Sequence, residues 1–138
     1  MSKMVATVRK LGSEECWELL QENTFGRLAY HLRGRTRIAP INYAVDEGRL
    51  IFRTAEGSKF YALQVDDAVA FEIDSHDDDQ AWSVVAQGRV AEILDAKEMK
   101  EATVHLRPWV RTKKKHVLSI AIDELTGRRF AIAAPEER

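Results

Sequence analysis

Residues 49–59 read Arg-Leu-Ile-Phe-Arg-Thr-Ala-Glu-Gly-Ser-Lys. The pattern predicts a short strand, a tight turn through Ala55–Gly57 and a helix that begins at Ser58. A turn that feeds a helix leaves backbone N–H groups without partners and aims them at one spot, which suits an anion. Arg53 and Lys59 flank that spot, and Thr54 and Ser58 add short hydroxyl donors. Together these groups suit a phosphate carried by a small molecule. The same residues also describe an exposed turn whose Arg and Lys are merely solvated, and the segment alone leaves both readings open.

Elsewhere the residue types that do chemistry are scattered. The four histidines, His31, His76, His105 and His116, show no metal-ligand spacing. His76 with Asp77, Asp78 and Asp79 reads as a solvated acidic loop rather than a cation site. Cys16 has no basic neighbour to activate it and reads as a small core residue. No paired carboxylates, Cys–His or Ser–His arrangement, Gly-x-Gly-x-x-Gly or P-loop is present, so neither a catalytic residue nor a metal site is assigned.

At 138 residues and 15.7 kDa the chain is expected to form one domain over 11–138, with a loose N-terminal end over 1–10. Charged residues make up 31% and the net charge is −1, a balance unlike that of a nucleic-acid binder. A single cysteine fits a reducing compartment. No apolar run approaches the roughly 18 residues of a membrane span, and the first ten residues lack the apolar stretch of a signal peptide. A soluble cytoplasmic protein with no membrane or nucleic-acid partner is the expectation.

The elements that must position the turn follow from periodicity. Ser13 is expected to cap a helix to about Asn23, with Cys16, Leu19 and Leu20 on its buried stripe and Trp17 at its edge. Strands Phe25–His31 and Arg35–Val45 join through Arg33-Gly34, and Asp46-Glu47-Gly48 turns into Leu50–Thr54. A helix from Ser58 to about Val65 precedes the alternating strand Ala68–Asp74. The strand from Trp82 to about Ile93 is too long to stay flat, and Gly88 marks a bend or bulge. Asp95 caps a helix to about Leu106. A loop with the basic run Arg111–Lys115 leads to two strands, His116–Ile122 and Arg128–Ala133, expected to pair across Leu125-Thr126-Gly127. Six or seven strands with many hairpins and three helices predict a mainly β fold, a β-barrel with marginal helices.

Five short motifs occur in order: Pro40-Ile41-Asn42-Tyr43, Phe52-Arg53-Thr54, Gly57-Ser58-Lys59, Val69-Ala70-Phe71-Glu72 and Gln87-Gly88-Arg89-Val90. This series resembles the pyridoxamine 5′-phosphate oxidase-like, FMN-binding split-barrel superfamily over about residues 11–133. It is most similar to the small bacterial branch that includes nitroimidazole-resistance-type proteins. The resemblance implies a six-stranded antiparallel split barrel, a homodimer, and one FMN in each of two clefts at the interface. By position it assigns Arg53, Thr54, Ser58 and Lys59 to the ribityl phosphate. Pro40, Asn42 and Tyr43 run beside the isoalloxazine ring. Trp82 and Ser83 reach across the interface, and Trp109 closes the cleft. Packing in the core or the dimer is the other reading of Tyr43, Trp82 and Trp109. The implied function is an oxidoreductase acting on a small-molecule substrate or electron acceptor. Thr126-Gly127-Arg128-Arg129-Phe130 lacks the Arg-x-His-type motif of authentic pyridoxamine 5′-phosphate oxidases, which argues against that substrate. Three alternatives stay open: a deazaflavin whose charged tail meets Lys113–Lys115, a haem held by His31, His105 or His116, and a non-enzymatic flavin-binding module.

Overall fold

The computed structural model describes residues 7–107 and 116–132. Along the chain these form β1 (Val8–Lys10), α1 (Ser13–Glu22), β2 (Phe25–Leu32), β3 (Arg35–Asn42), β4 (Ala44–Asp46) and β5 (Arg49–Thr54). Then come α2 (Ser58–Val65), β6 (Ala68–His76), β7 (Gln80–Ile93), α3 (Ala96–Ala102) and β8 (His116–Ala131). All the strands lie in one eight-stranded sheet ordered β3-β2-β6-β7-β8-β5-β4, with β1 on the far half of β8. Every pairing is antiparallel.

The two ends of that order, β3 and β4, are consecutive in the chain and separated only by Tyr43. A sheet whose first and last strands meet at one residue must curl round on itself, and this produces the split barrel. Tyr43 pins the seam. Its N–H donates to the Thr24 carbonyl at 2.9 Å, its hydroxyl donates to the Leu20 carbonyl at 2.7 Å, and its ring meets Phe71 edge-on at 4.8 Å. The expected single strand 35–45 is therefore two strands on opposite edges. Inside the curl lie Leu28, Leu50, Phe52, Phe71, Leu118 and Ile120. Each such side chain contributes on the order of 1.5–3 kcal/mol when fully removed from water. A smaller cluster of Ile51, Ile93, Val117 and Ala102 seats α3 on the other face.

Six strands have six or more residues, as the six-stranded expectation has it, and β1 and β4 add three residues each. The last expected hairpin is corrected. His116–Ala131 is one strand that runs straight through Leu125-Thr126-Gly127. Gly127 is there for close packing, since a Cβ on it would lie 2.7 Å from the Cys16 sulfur and 3.1 Å from Leu11. Gly88 does mark an irregularity, for the β7–β8 register shifts between Gln87 and Gly88. Part of the expected loose end is also ordered, because Val8–Lys10 pair with 128–130 as β1. Gly12, not Ser13, occupies the N-cap of α1, and Glu15 accepts from its N–H at 3.4 Å. Asp95 caps α3 as expected, accepting from Glu98 N–H at 2.9 Å.

Candidate anion and cofactor site

The β5–α2 junction forms as the sequence implies: β5 ends at Thr54, three residues turn, and α2 starts at Ser58. Gly57 sits at φ 153° and ψ −171°, a region that only glycine occupies without strain. Nothing lies within 4 Å of where its Cβ would be, so the space over the turn is open. Ser58 is exposed at the first helical position, and Lys59 and Arg53 are half-buried beside it. Thr54 departs from the expectation. Successive strand residues face opposite ways, and Thr54 is buried while Arg53 is not. Its hydroxyl donates to the Ala55 carbonyl at 3.3 Å.

The side of the turn that faces the barrel carries a cluster that motif reading misses. His116 lies opposite Thr54 in the β5–β8 ladder. Its ring stacks on Phe60 of α2, with centroids 3.8 Å apart and planes at 15°. Nδ1 is 2.7 Å from Glu92 Oε2, and Nε2 is 3.5 Å from Glu56 Oε1 in the turn itself. The only signal in the sequence is the alternation of 116–120, which puts His116 on the same face as Leu118.

The other expected residues lie elsewhere. Pro40 is exposed on β3, the strand at the open edge, and Asn42 extends its amide to the Thr24 carbonyl at 3.5 Å. Tyr43 is 1% exposed, its hydroxyl is committed, and burial pushes its pKa well up. Its ring is therefore a core group. Trp82 pairs with Arg129 on β8, whereas Arg53 pairs with Val117. Those β8 partners are twelve residues apart, about 40 Å of strand at ~3.3 Å per residue. Trp82 and Ser83 thus stand at the opposite end of β8 from the turn. Trp82 packs half-buried against the main core. Trp109 and the run Arg111–Lys115 lie outside the described residues.

Two further features bear on the alternatives. A mainly apolar groove of about 570 Å³ runs between α2 and the β2–β3 hairpin, lined by Ser58, Tyr61 and Val65 on one side and His31 and Arg33 on the other. The acidic loop uses its first carboxylate on itself. Asp77 accepts from the N–H groups of Gln80 and Asp79, both at 2.8 Å, and these bonds hold its pKa below the ordinary value. Among the described residues no group of three or more His, Cys, Asp or Glu is placed to hold a metal ion. No described helix is long and apolar enough to cross a membrane.

The model of the family described as pyridoxamine 5′-phosphate oxidase matches residues 12–129. The chain belongs to the pyridoxamine 5′-phosphate oxidase-like split-barrel family. Within it, a solved Corynebacterium glutamicum protein named for the same oxidase is 35% identical, with a TM-score of 0.82 over 91% of this chain and all (100%) of that one. A Mycobacterium smegmatis protein named FAD binding protein is 34% identical, with a TM-score of 0.77 over 89% of this chain and 98% of that one. An uncharacterised Mycobacterium tuberculosis protein is 36% identical over 94 residues, 67% of this chain and 86% of its own length. The fold is also shared with a Bacteroides thetaiotaomicron structure named for 5-nitroimidazole antibiotic resistance, at 17% identity and a TM-score of 0.81.

Proposed function

We propose that this split barrel binds a phosphorylated flavin, FMN in the first instance, between two copies of the chain, and serves as an oxidoreductase for a small molecule. The observation that carries the reading is the β5–α2 junction. Its open glycine turn, helix start, Arg53, Ser58 and Lys59 make a donor set that fits a phosphate monoester. In this role Arg53 and Lys59 neutralise the phosphate, and Ser58 donates its hydroxyl and backbone N–H. Pro40 and Asn42 border the ring from the β3 edge. Bound flavin supplies hydride and electron transfer, so the chain itself needs only to position the ring, shield it and tune its charge.

The dimer is supported by the separation along β8. Within one copy the turn and Trp82–Ser83 lie at opposite ends of β8, and two antiparallel copies would bring one chain's turn to the other's tryptophan. Interfaces of this sort typically bury about 2,000 Å² or more. The substrate reading excludes pyridoxamine 5′-phosphate as the preferred one. Thr126–Phe130 carries no histidine and is absorbed into β8, where Gly127 seats α1. FAD in place of FMN is a second reading, favoured by the groove that continues from Ser58 past Tyr61 and Arg33. A volume of that order accepts a nucleoside-sized group.

The test is the visible spectrum of the purified protein, mass analysis of what denaturation releases, and light scattering with the ligand bound. A flavin spectrum, FMN or FAD by mass, and a dimer are expected. A deazaflavin or haem spectrum would replace the cofactor assignment, and a monomer that binds FMN tightly would remove the shared cleft. Turnover of nitroaromatic or quinone acceptors with a nicotinamide donor tests the activity. Bound flavin that no donor reduces would leave a binding module.

A further inference from the structure

We propose that His116 is a positioning residue that clamps the phosphate-binding turn to the barrel, with Phe60, Glu56 and Glu92 as the parts of the clamp. The ligand in this proposal rests on the flavin reading above; the clamp itself rests on geometry. Three elements converge on one imidazole. Glu92 of β7 holds Nδ1 at 2.7 Å. Phe60, in the first turn of α2, lies flat on the ring at 3.8 Å. Glu56, next to Gly57, places its carboxylate 3.5 Å from Nε2.

These contacts differ in quality, and the difference has a consequence. The Glu92 bond is short and half-buried, and the stack is close, so ring and α2 are fixed to the sheet. Nε2 is buried without a hydrogen bond, and Glu56 is 71% exposed. With N–H on both ring nitrogens, Nδ1–H donating to Glu92, a shift of a few tenths of an ångström in the turn would let Nε2–H donate to Glu56, because good bonds from ring nitrogen lie at ~2.7–3.2 Å. The turn thus has a slightly loose latch facing inward, directly behind the donors that face outward. An anion that draws the outward N–H groups together tightens the latch. Conversely, a closed latch presents those donors in one geometry and spares the ligand the cost of ordering them.

The same contacts bear on the haem alternative. His116 has one ring nitrogen engaged and the other buried against the turn, so it is not offered to an iron.

The experiment compares FMN with riboflavin, which lacks the phosphate, by quenching of flavin fluorescence in the wild type, His116→Gln and Glu56→Gln. His116→Gln keeps an amide donor and loses the stack. It is expected to weaken FMN roughly five-fold or more while riboflavin changes by less than about two-fold, as for coupled neighbours. Glu56→Gln, at an exposed position that leaves folding intact, is expected to move FMN in the same direction by a smaller factor. Equal loss for both flavins would make His116 a general packing residue and overturn the proposal, as would unchanged FMN affinity in both variants. Hydrogen exchange at the Tyr61 and Ala62 amides without any flavin reads the clamp separately. Faster exchange in His116→Gln supports it, and unchanged exchange overturns it. A wild type that binds neither flavin would sink the flavin reading and leave the exchange result to decide the clamp.

Discussion

Gly57→Ala is the most direct probe of the junction. At φ 153° and ψ −171° the backbone is in the region reserved for glycine, and an L-residue held there is strained by on the order of 1–3 kcal/mol. No atom lies within 4 Å of the added methyl, so crowding adds nothing and the whole cost is backbone. Two responses are open to the chain. If the turn keeps its shape, the strain appears as lost stability, about 3–15 °C in Tm for a domain of this size. If the turn rotates toward negative φ to relieve it, the Ser58 amide swings away from the anion position. Each lost bond to a charged group costs about 1.5–3 kcal/mol, or roughly 10- to 150-fold in FMN affinity. Riboflavin affinity should hold in either case. The assay is thermal unfolding of the unliganded protein beside FMN and riboflavin titrations. Gly34→Ala, at φ 75° on the β2–β3 hairpin, is the control: it should cost about 1–2 kcal/mol and leave the FMN-to-riboflavin ratio alone. An alanine at 57 that changes neither Tm nor FMN affinity would refute the geometry on which the site is built.

Arg53→Ala and Lys59→Ala should each weaken FMN about ten-fold or more and riboflavin little, as measured in the same titration. Parental FMN affinity in both would mean that the phosphate binds elsewhere. Tyr43→Phe leaves the Leu20 carbonyl unpaired in the core and should cost about 1–3 kcal/mol in urea unfolding, against little change for a surface tyrosine such as Tyr61→Phe. Cys16 is fully buried and burial pushes its thiol pKa up, so alkylation should be slow in the native protein at mildly alkaline pH and fast in denaturant. Rapid labelling of the folded protein would contradict the packing of α1 over Gly127.

Much of the local physics was legible in the sequence, the α1 cap at Gly12 excepted. Alternation placed β6, and bounding turns placed β2 and β5. The Asp95 cap announced α3, Arg33-Gly34 and Glu47-Gly48 announced two hairpins, and Arg53 to Lys59 announced a turn suited to an anion. These signals are legible because capping, φ preference and side-chain alternation act between residues a few positions apart. Three matters needed the tertiary structure. Gly127 looks like a turn residue, yet the sulfur of Cys16 above it makes it a packing residue, and one long β8 results. Tyr43 looks like a cleft aromatic, yet curling of the sheet brings β3 and β4 together at that residue and turns its ring inward. His116 belongs to no motif, since its partners Glu56, Phe60 and Glu92 come from three separate elements that only the β5–β8 and β7–β8 registers bring together. The strand–turn–helix junction at 54–58 could be read from its own residues. What holds the turn in place, and how far it stands from Trp82, is set by strand register over dozens of residues, which no local pattern encodes.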